Sequence, residues 1–424
     1  MVDFEVIVVG AGPAGAMLTK ELAKRKFSVL CIEKEIEVGL PNKSTAGTPL
    51  DTFEIFDLPL ELGYSEISGL RIYGPTESWV QEYDKPYARL FKFRELKQYL
   101  IREAITYGAQ TMLATEVTGP IMEKGKIIGV KYKGFEGTGE VRANVVVDAT
   151  GPESILAAEL GLMPKYETKA DANSLEYFFE PGVGGAYEYF MANAKPDRGD
   201  NGFFLDLFMG SELAPGGYSW IFPTSETEVK AGVCKMDPTF VVKGEKSQKE
   251  YFQKLWKENP QIKDAQPFEV HLCPYRHWVI GGLKSATLDN FMAIGDAATK
   301  FQPVFGEGVR ASFYSAHFAA DALENARNQN DYSKKALELQ DKLWDEKWGS
   351  QWNLSAIIYK VLYHSDDDEI DNFLRGLKKL DFDTLWKLYL GKGGMRDSLK
   401  LARHLPDLLG KKTVSKTIRR KLLK

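Results

Sequence analysis

The chain opens with two continuous apolar runs separated by an amphipathic stretch. The runs over residues 4–10 and 27–34 are rich in β-branched residues and do not alternate with polar ones, which is typical of parallel strands buried on both faces. Between them, apolar residues recur at helical spacing and predict a helix over residues 14–25. Together these elements predict a βαβ unit.

The pattern changes twice further along the chain. Residues 93–108 predict an amphipathic helix that ends at Gly108, and residues 142–151 predict another buried strand. From about residue 165 to 275, short alternating segments predict an antiparallel sheet. A strand, a turn and a long helix then return, and the end of the chain has mostly helical character. We therefore expect an α/β fold with an antiparallel, α+β-type insertion and a C-terminal helical region.

Net charge and cysteine spacing limit the kinds of partner and metal site that we expect. The formal net charge of the 424 residues is −4, which gives no reason to expect nucleic acid as a partner. Cys31, Cys234 and Cys273 are too far apart for zinc-ligand or four-cysteine cluster spacing, so we expect no metal site. No stretch has the pattern of a secretory signal and no apolar run is long enough to cross a bilayer, so we expect a cytoplasmic protein.

Three glycines after the first strand carry the first chemical signal. Gly10, Gly12 and Gly15 form a GxGxxG pattern between strand and helix, where a glycine turn lets the backbone approach a pyrophosphate at the helix N-terminus. Glu33 ends the second strand, where an acid can accept hydrogen bonds from a ribose hydroxyl. We interpret the unit as a binding site for an adenine dinucleotide; the alternative is a glycine turn without a ligand.

Later motifs favour FAD over NAD. "VVVDATG" ends a strand at Asp148, and "AIGDAATKFQPVFGEG" places Asp296 after another strand. In this order the motifs resemble the FAD-binding fold shared by aromatic hydroxylases, flavin halogenases and geranylgeranyl reductases. The resemblance implies that Asp296 contacts the ribityl–pyrophosphate part of FAD, whereas the alternative is a helix cap. The residues expected to bind FAD are Gly10, Gly12, Pro13, Ala14, Gly15, Glu33, Lys34, Thr45, Ala46, Gly47, Asp148, Gly151, Gly295, Asp296, Pro303, Gly306, Glu307, Gly308 and Val309.

An aromatic stretch inside the alternating region narrows the resemblance. "YSWIFP" places Tyr218, Trp220 and Phe222 on one face of a strand, followed by Pro223 and, after eight further residues, Gly232. This pattern resembles the signature of the geranylgeranyl reductase family, including archaeal enzymes that saturate the isoprenoid chains of membrane lipids. The resemblance implies that the three aromatic residues and Pro223 line a tunnel for a prenyl chain. The alternative is that they are core residues of the sheet.

The resemblance also divides the chain. Residues 1–80 and 81–164 correspond to a Rossmann-like FAD-binding domain, the second part with strands of the substrate domain. Residues 165–280 correspond to an inserted antiparallel-sheet substrate domain. Residues 281–330 complete the FAD-binding domain, and residues 331–424 form the C-terminal helical region.

One motif departs from the family. Many members carry a "PCG" sequence after the second strand, with a cysteine near the flavin, whereas this chain reads "NKSTAGTP" there. Ser44 or Thr45 stands where the cysteine is expected. Because a hydroxyl cannot replace a thiol in disulfide chemistry, any redox or gating role of that cysteine is in doubt in this chain.

The family resemblance implies a reaction but assigns no catalytic side chain. Hydride would pass from reduced flavin N5 to a prenyl C=C bond of an isoprenoid lipid or prenyl diphosphate, with a proton added to the other carbon. No histidine lies in a catalytic motif, although His277 is the best candidate among the five, which are His271, His277, His317, His364 and His404.

The electron donor and any membrane contact stay open. The sequence has one strand–GxGxxG–helix unit, so the electrons would come from a transiently bound NAD(P)H or from a ferredoxin-like protein. Residues 411–424 are basic, with apolar residues at helical spacing, and predict either a peripheral contact with an anionic membrane or a solvated tail.

Three rival interpretations remain. The first is a protein similar to electron-transfer flavoprotein:quinone reductase, in a form without a cluster. The second is a flavin monooxygenase or halogenase, whose Trp-x-Trp-x-Ile-Pro stretch is partly matched by "YSWIFP". The third is an FAD-binding or lipid-carrier protein without enzymatic activity.

Overall fold

The structure of the chain is a computed structural model. It describes residues 2–40, 42, 44–135, 137–163, 185–236, 240–273, 283, 285–304, 306–390 and 392–409. The predicted strand "SLEYFFE", His277 and the basic segment 411–424 lie outside the described residues.

The first sheet contains the predicted βαβ unit. Its centre is parallel, because β1 pairs with β2 on one side and with β10 on the other, and β17 extends it beyond β10. The strands run in the order β16-β17-β10-β1-β2-β7, with the β8–β9 hairpin joined to β10. The described strands are β1 (Phe4–Val9), β2 (Val29–Ile32), β7 (Gln110–Met112), β8 (Thr115–Glu123), β9 (Lys126–Gly134), β10 (Gly137–Asp148), β16 (Thr287–Leu288) and β17 (Phe291–Ala293).

The second sheet is mostly antiparallel, as the alternating pattern predicts, but two of its strands are parallel neighbours. It runs in the order β15-β11-β14-β13-β12-β4-β6-β3, with β5 beside β4, and β12 pairs with β4 in parallel. It therefore combines strands from residues 47–91 with strands from residues 185–273. The described strands are β3 (Gly47–Pro49), β4 (Gly63–Tyr73), β5 (Ser78–Glu82), β6 (Ala88–Phe91), β11 (Gly185–Ala192), β12 (Phe203–Gly210), β13 (Ala214–Pro223), β14 (Glu228–Lys235) and β15 (Gln266–Cys273).

Helices cover both sheets, and the expected fold class is confirmed. Helix α1 begins with a proline at its first turn and buries the apolar residues that the pattern placed inward. None of the described helices is long and apolar enough to cross a bilayer. The described α-helices are α1 (Pro13–Lys24), α2 (Asp51–Ile55), α3 (Phe93–Thr106), α4 (Ile155–Glu159), α5 (Gln248–Glu258), α6 (Val309–Gln329), α7 (Lys334–Leu337), α8 (Leu339–Leu362), α9 (Asp367–Leu377), α10 (Phe382–Tyr389) and α11 (Met395–Leu409).

The spacing of the aromatic motif is explained by the register of the second sheet. Trp220 on β13 is directly opposite Gly232 on β14, and Gly232 is in turn opposite Glu188 on β11. A side chain at position 232 would collide with this arrangement, because an added Cβ would lie 2.5 Å from Cζ2 of Trp220 and 2.4 Å from the carbonyl oxygen of Tyr187. The glycine therefore lets the indole of Trp220 lie across β14.

This packing predicts the effect of Gly232→Ala. Inside a strand, alanine is usually more stabilising than glycine. Here, however, the added methyl group displaces the buried indole, so we expect the free energy of unfolding to fall by about 1–3 kcal/mol. Urea denaturation measures the change. Gly119→Ala on β8 is the matched control, since its Cβ would meet no atom within 4 Å. Equal midpoints for the two variants would contradict the packing.

Candidate functional site

The glycine turn after β1 has the geometry of a phosphate-binding turn. Gly10 has a φ of +100°, and a Cβ there would lie 2.5 Å from the carbonyl oxygen of Ala149. A Cβ on Gly15 would lie 1.9 Å from the carbonyl oxygen of Gly10, so this glycine lets α1 pack against the turn. A Cβ on Gly12 would meet nothing within 4 Å. The turn thus leaves space in front of the N-terminus of α1, where an anion is favoured.

Two acidic residues and two lysines border this space. The carboxylate of Glu33 accepts a hydrogen bond from the backbone N–H of Ala11 at 2.7 Å, which fixes its side chain beside the glycine turn. Lys34 forms an ion pair with Glu153, at 2.9 Å, from the loop that follows β10. The buried amine of Lys97 on α3 also lines the cavity and lies 4.2 Å from the centroid of the Phe93 ring.

Asp296 presents an unpaired carboxylate oxygen to the same space. Its Oδ1 is shielded from water and has no hydrogen-bond partner among the described residues. Burial raises the pKa of Asp296 to about 6. Gly308 leaves room beside this carboxylate, since a Cβ there would lie 3.4 Å from Oδ1. A ligand hydroxyl that donates into this space would give the buried oxygen the partner that the described residues do not supply.

A single continuous cavity of about 630 Å³ joins the glycine turn to the second sheet. Its first end is lined by the turn, by Glu33 and Lys34, by the loop around Gly151, and by Asp296 and residues 306–309. Its other end is mostly apolar. The aromatic and aliphatic residues there come from the second sheet and from α8–α11, and they include Leu70, Ile72, Leu207, Tyr218, Trp220, Phe222, Met236, Ile358, Phe373, Leu377, Leu385, Trp386, Leu401 and Leu408.

The aromatic triplet is both cavity wall and core. Tyr218, Trp220 and Phe222 all line the cavity, with neighbouring ring centroids 5.7 and 6.4 Å apart along the strand. The same residues pack in one apolar cluster with the C-terminal helices, through Tyr363 among others. The two sequence interpretations are therefore compatible.

A polar cluster forms the part of the wall where the family cysteine is expected. The hydroxyl of Thr45 and the indole N–H of Trp220 (2.8 Å) both donate to Oε2 of the buried Glu188. The amine of Lys230 donates to the backbone carbonyl of Thr45 at 3.0 Å. His271 lies on the far side of Glu188, with 3.4 Å between its Nδ1 and Oε1 of the carboxylate.

Most of the residues that were expected to bind FAD line the cavity, but several have structural roles. Asp148 is buried behind the wall, where its oxygens accept hydrogen bonds from the backbone N–H groups of Thr150 (3.0 Å) and Ala157 (2.8 Å). The predicted residues that do not line the cavity are Gly15, Asp148, Gly295, Pro303 and Pro223. The others line it, and their role in binding stays a prediction.

Sequence reasoning missed several residues of this wall. Of the histidines in the described part of the chain, His271 alone lines the cavity, although His277 was preferred. Lys97 gave no signal, because it is one of several charged residues on an amphipathic helix. The contribution of α8–α11 was also missed. An inward-facing charge such as Glu188, at an otherwise buried strand position, was the one available clue.

The residues around the glycine turn fit an FAD molecule. The turn offers backbone N–H groups and open space to a pyrophosphate, and Asp296 offers an acceptor oxygen without a partner among the described residues. Gly306 brings the 306–309 segment next to the apolar end, since a Cβ there would lie 3.6 Å from Met236.

Comparison with known proteins agrees with this geometry. A family model described as FAD binding domain matches residues 3–331. A digeranylgeranylglycerophospholipid reductase of Haloferax volcanii is 32% identical over 90% of this chain and 91% of its own length. A second enzyme of this name, from Methanopyrus kandleri, is 25% identical over 96% of this chain and 98% of its own length.

Solved structures share the fold. A geranylgeranyl bacteriochlorophyll reductase-like protein of Thermoplasma acidophilum superposes with a TM-score of 0.79, at 23% identity, over 97% of this chain and 98% of its own. A flavin-dependent brominase superposes with a TM-score of 0.66, at 18% identity, over 92% of this chain and 93% of its own.

The buried carboxylate of Asp296 predicts opposite effects of Asp296→Asn on stability and on cofactor binding. Because its pKa is raised in the folded state, the folded protein binds more protons than the unfolded chain between about pH 4 and 6, and stability falls as pH rises through this window. At pH 8 the cofactor-free variant should be more stable than the parent by roughly 1–2 kcal/mol, a figure reduced because solvent partly reaches the residue.

The same variant should bind FAD more weakly, since the amide is a poorer acceptor than a carboxylate. Urea denaturation at pH 4 and pH 8 and fluorescence titration with FAD measure the two effects. An unchanged affinity for FAD would show that the carboxylate does not contact the cofactor.

Proposed function

This chain belongs to the digeranylgeranylglycerophospholipid reductases, which are FAD-dependent oxidoreductases, and we propose that it saturates C=C bonds in the geranylgeranyl chains of isoprenoid lipids or their precursors. One observation carries the proposal. The cavity is continuous from a polar end that fits FAD to an apolar end that fits a prenyl chain.

The aliphatic and aromatic lining of the apolar end suits a long, flexible hydrocarbon. We propose that the rings of Tyr218, Trp220 and Phe222 form one wall for the prenyl chain and that Leu377 and Leu385 from α9 and α10 form the opposite wall. Such walls gain stability by covering apolar surface of the ligand and leave a charged head group nothing to bind. The head group would therefore stay towards the mouth of the cavity.

The protein's part in the chemistry is to position and to exclude water. The bound reduced FAD supplies hydride. An isolated alkene is a poor electrophile, so the walls must hold it close to the 306–309 segment and keep water out of the apolar end. The contact of Tyr389 with Glu307, at 3.3 Å between the phenol and Oε2, fixes α10 to that segment and closes this side.

We also propose the reductant and the place of action. With one strand–GxGxxG–helix unit in the sequence, the electrons would come from NAD(P)H that binds transiently or from a ferredoxin-like protein. A peripheral contact with the membrane through residues 411–424 stays a prediction, since this segment lies outside the described residues.

The likeness of the fold to a flavin-dependent brominase supplies the second candidate function. A halogenase or monooxygenase depends on rapid reaction of the reduced flavin with oxygen. Stopped-flow absorbance of the reduced holoprotein mixed with oxygen distinguishes the two, because fast formation of an oxygen adduct would favour the rival and slow reoxidation favours the reductase.

Mass spectrometry tests the proposed reaction directly. Dithionite-reduced holoprotein is incubated with a digeranylgeranylated glycerophospholipid in detergent micelles, and the lipid is then analysed for the gain of two hydrogens per saturated double bond. No gain with this lipid or with geranylgeranyl diphosphate, in protein that contains FAD, would refute the proposal.

Trp220→Ala tests the aromatic wall. We expect the variant to retain FAD but to reduce prenyl lipid at least about tenfold more slowly, because the cavity loses the ring against which the chain packs. FAD absorbance per protein and the initial rate measure the two quantities. Trp256→Ala, on α5 and away from the cavity, is the matched control. Equal rates for the two variants would show that Trp220 is a core residue alone.

A further inference from the structure

Glu188 and His271 form a buried pair whose facing atoms take no part in holding Trp220. They are directly opposite each other on β11 and β15, and both line the cavity. Oε2 of Glu188 already accepts from Thr45 and Trp220. Oε1 of Glu188 and Nδ1 of His271 have no other hydrogen-bond partner among the described residues, and they face each other at 3.4 Å. This gap is where the pair can hold one proton.

A route to solvent leaves from the other nitrogen of the imidazole. Nε2 of His271 lies 2.6 Å from Oε1 of Glu269, whose side chain is 43% exposed. An imidazole can accept a proton at one nitrogen and release one from the other. The three side chains thus connect bulk water with the cavity wall.

The electrostatic surroundings favour the charged form of Glu188. Although burial raises it, the hydrogen bond from His271 and the charge of Lys230 hold the pKa of Glu188 below its usual range. Burial lowers the pKa of Lys230 to about 8, against the opposing effect of Glu188. Among the described residues, the titratable and charged groups that interact electrostatically with the pair or with its exit are Tyr64, Arg94, Glu95, Glu228, Lys230 and Glu269.

We propose that Glu188 and His271 supply the proton of the reduction and that Glu269 returns it from solvent; this inference rests on the proposed function. Saturation of an alkene breaks one π bond and forms two C–H bonds. One C–H bond forms with a hydride from the bound reduced cofactor, which is thereby oxidised by two electrons. The other C–H bond forms with a proton. The pair loses that proton to the second alkene carbon and regains one through Glu269, so atoms and charge balance.

The hydroxyl of Thr45, in the segment where this chain departs from the family pattern, has a role in this arrangement. Where the family pattern has a thiol, the hydroxyl of Thr45 donates to Glu188 and, with Trp220, occupies Oε2. Oε1 is thereby left as the oxygen that can accept a hydrogen bond from Nδ1 of His271, 3.4 Å away. Thr45 is a positioning residue in this account, and Glu188 and His271 are the groups that exchange the proton.

Glu188→Gln separates proton delivery from structure. The amide oxygen can still accept from Thr45 and Trp220, so a structural role predicts near-normal rates. If the pair delivers the proton, single-turnover reduction of the digeranylgeranylated lipid should be slower in this variant by about 100-fold or more, with FAD content and lipid binding retained.

Glu269→Gln, at the exposed end of the route, should shift the pH profile of the rate without loss of stability. Asp206→Asn is the matched control, since Asp206 is buried in the same sheet, bonded to Arg71 and absent from the cavity wall.

A second readout does not depend on turnover. In the NMR spectrum of ¹⁵N-labelled holoprotein, the imidazole N–H at Nδ1 of His271 should be visible and protected from exchange with water. Glu188→Gln should change the ¹⁵N shift of this group and speed its exchange. The variant His271→Asn, which lacks the imidazole, assigns the signal. The proton route is wrong if the parent protein saturates prenyl lipid and the variants behave like it. In that case Glu188→Gln keeps the parent rate and the parent imidazole signal, and Glu269→Gln keeps the parent pH profile. If the parent reduces no prenyl lipid, the proposed function fails first.

Discussion

The hydrogen bond between the indole N–H of Trp220 and the carboxylate of Glu188, made across Gly232, is the interaction on which this site depends. It requires a glycine on the intervening strand, because any side chain there would occupy the volume of the indole. It holds the indole over Gly232, at a position where the ring lines the cavity. It also gives a buried carboxylate one of the partners that it needs to remain charged in an apolar wall.

The other parts of the molecule bring the cofactor and the chain to this wall. The glycine turn and Asp296 leave one end of the cavity polar, open and incompletely hydrogen-bonded, which costs stability in the absence of a ligand. Helices α8–α11 cover the other end with aliphatic and aromatic side chains, and Tyr359 joins α8 to the sheet by a hydrogen bond of 2.6 Å to the carbonyl of Met236. The cavity therefore has a polar end at the glycine turn and an apolar end beneath α8–α11.

Local signals in the sequence predicted the parts of the fold that are local. The apolar runs of β1 and β2, the helix between them and the glycine spacing lie within forty residues of chain, and each depends mainly on neighbours in sequence. The contact of Glu188 with Thr45, 143 residues away, depends instead on sheet register and loop position, which no local pattern specifies. For the same reason the parallel pairing of β12 with β4 and the cavity wall from α8–α11 were not predicted.

The central claim is that the aromatic face of β13 contacts the prenyl chain beside the cofactor, and photo-crosslinking tests it most directly. A geranylgeranyl lipid with a diazirine near the middle of its chain is bound to the holoprotein, irradiated, and mapped by peptide mass spectrometry. The account predicts labels on Tyr218, Trp220 or Phe222 and on Leu377 or Leu385 across the cavity, and unlabelled lipid in excess should suppress them. Labels confined to the exterior of the protein would contradict it.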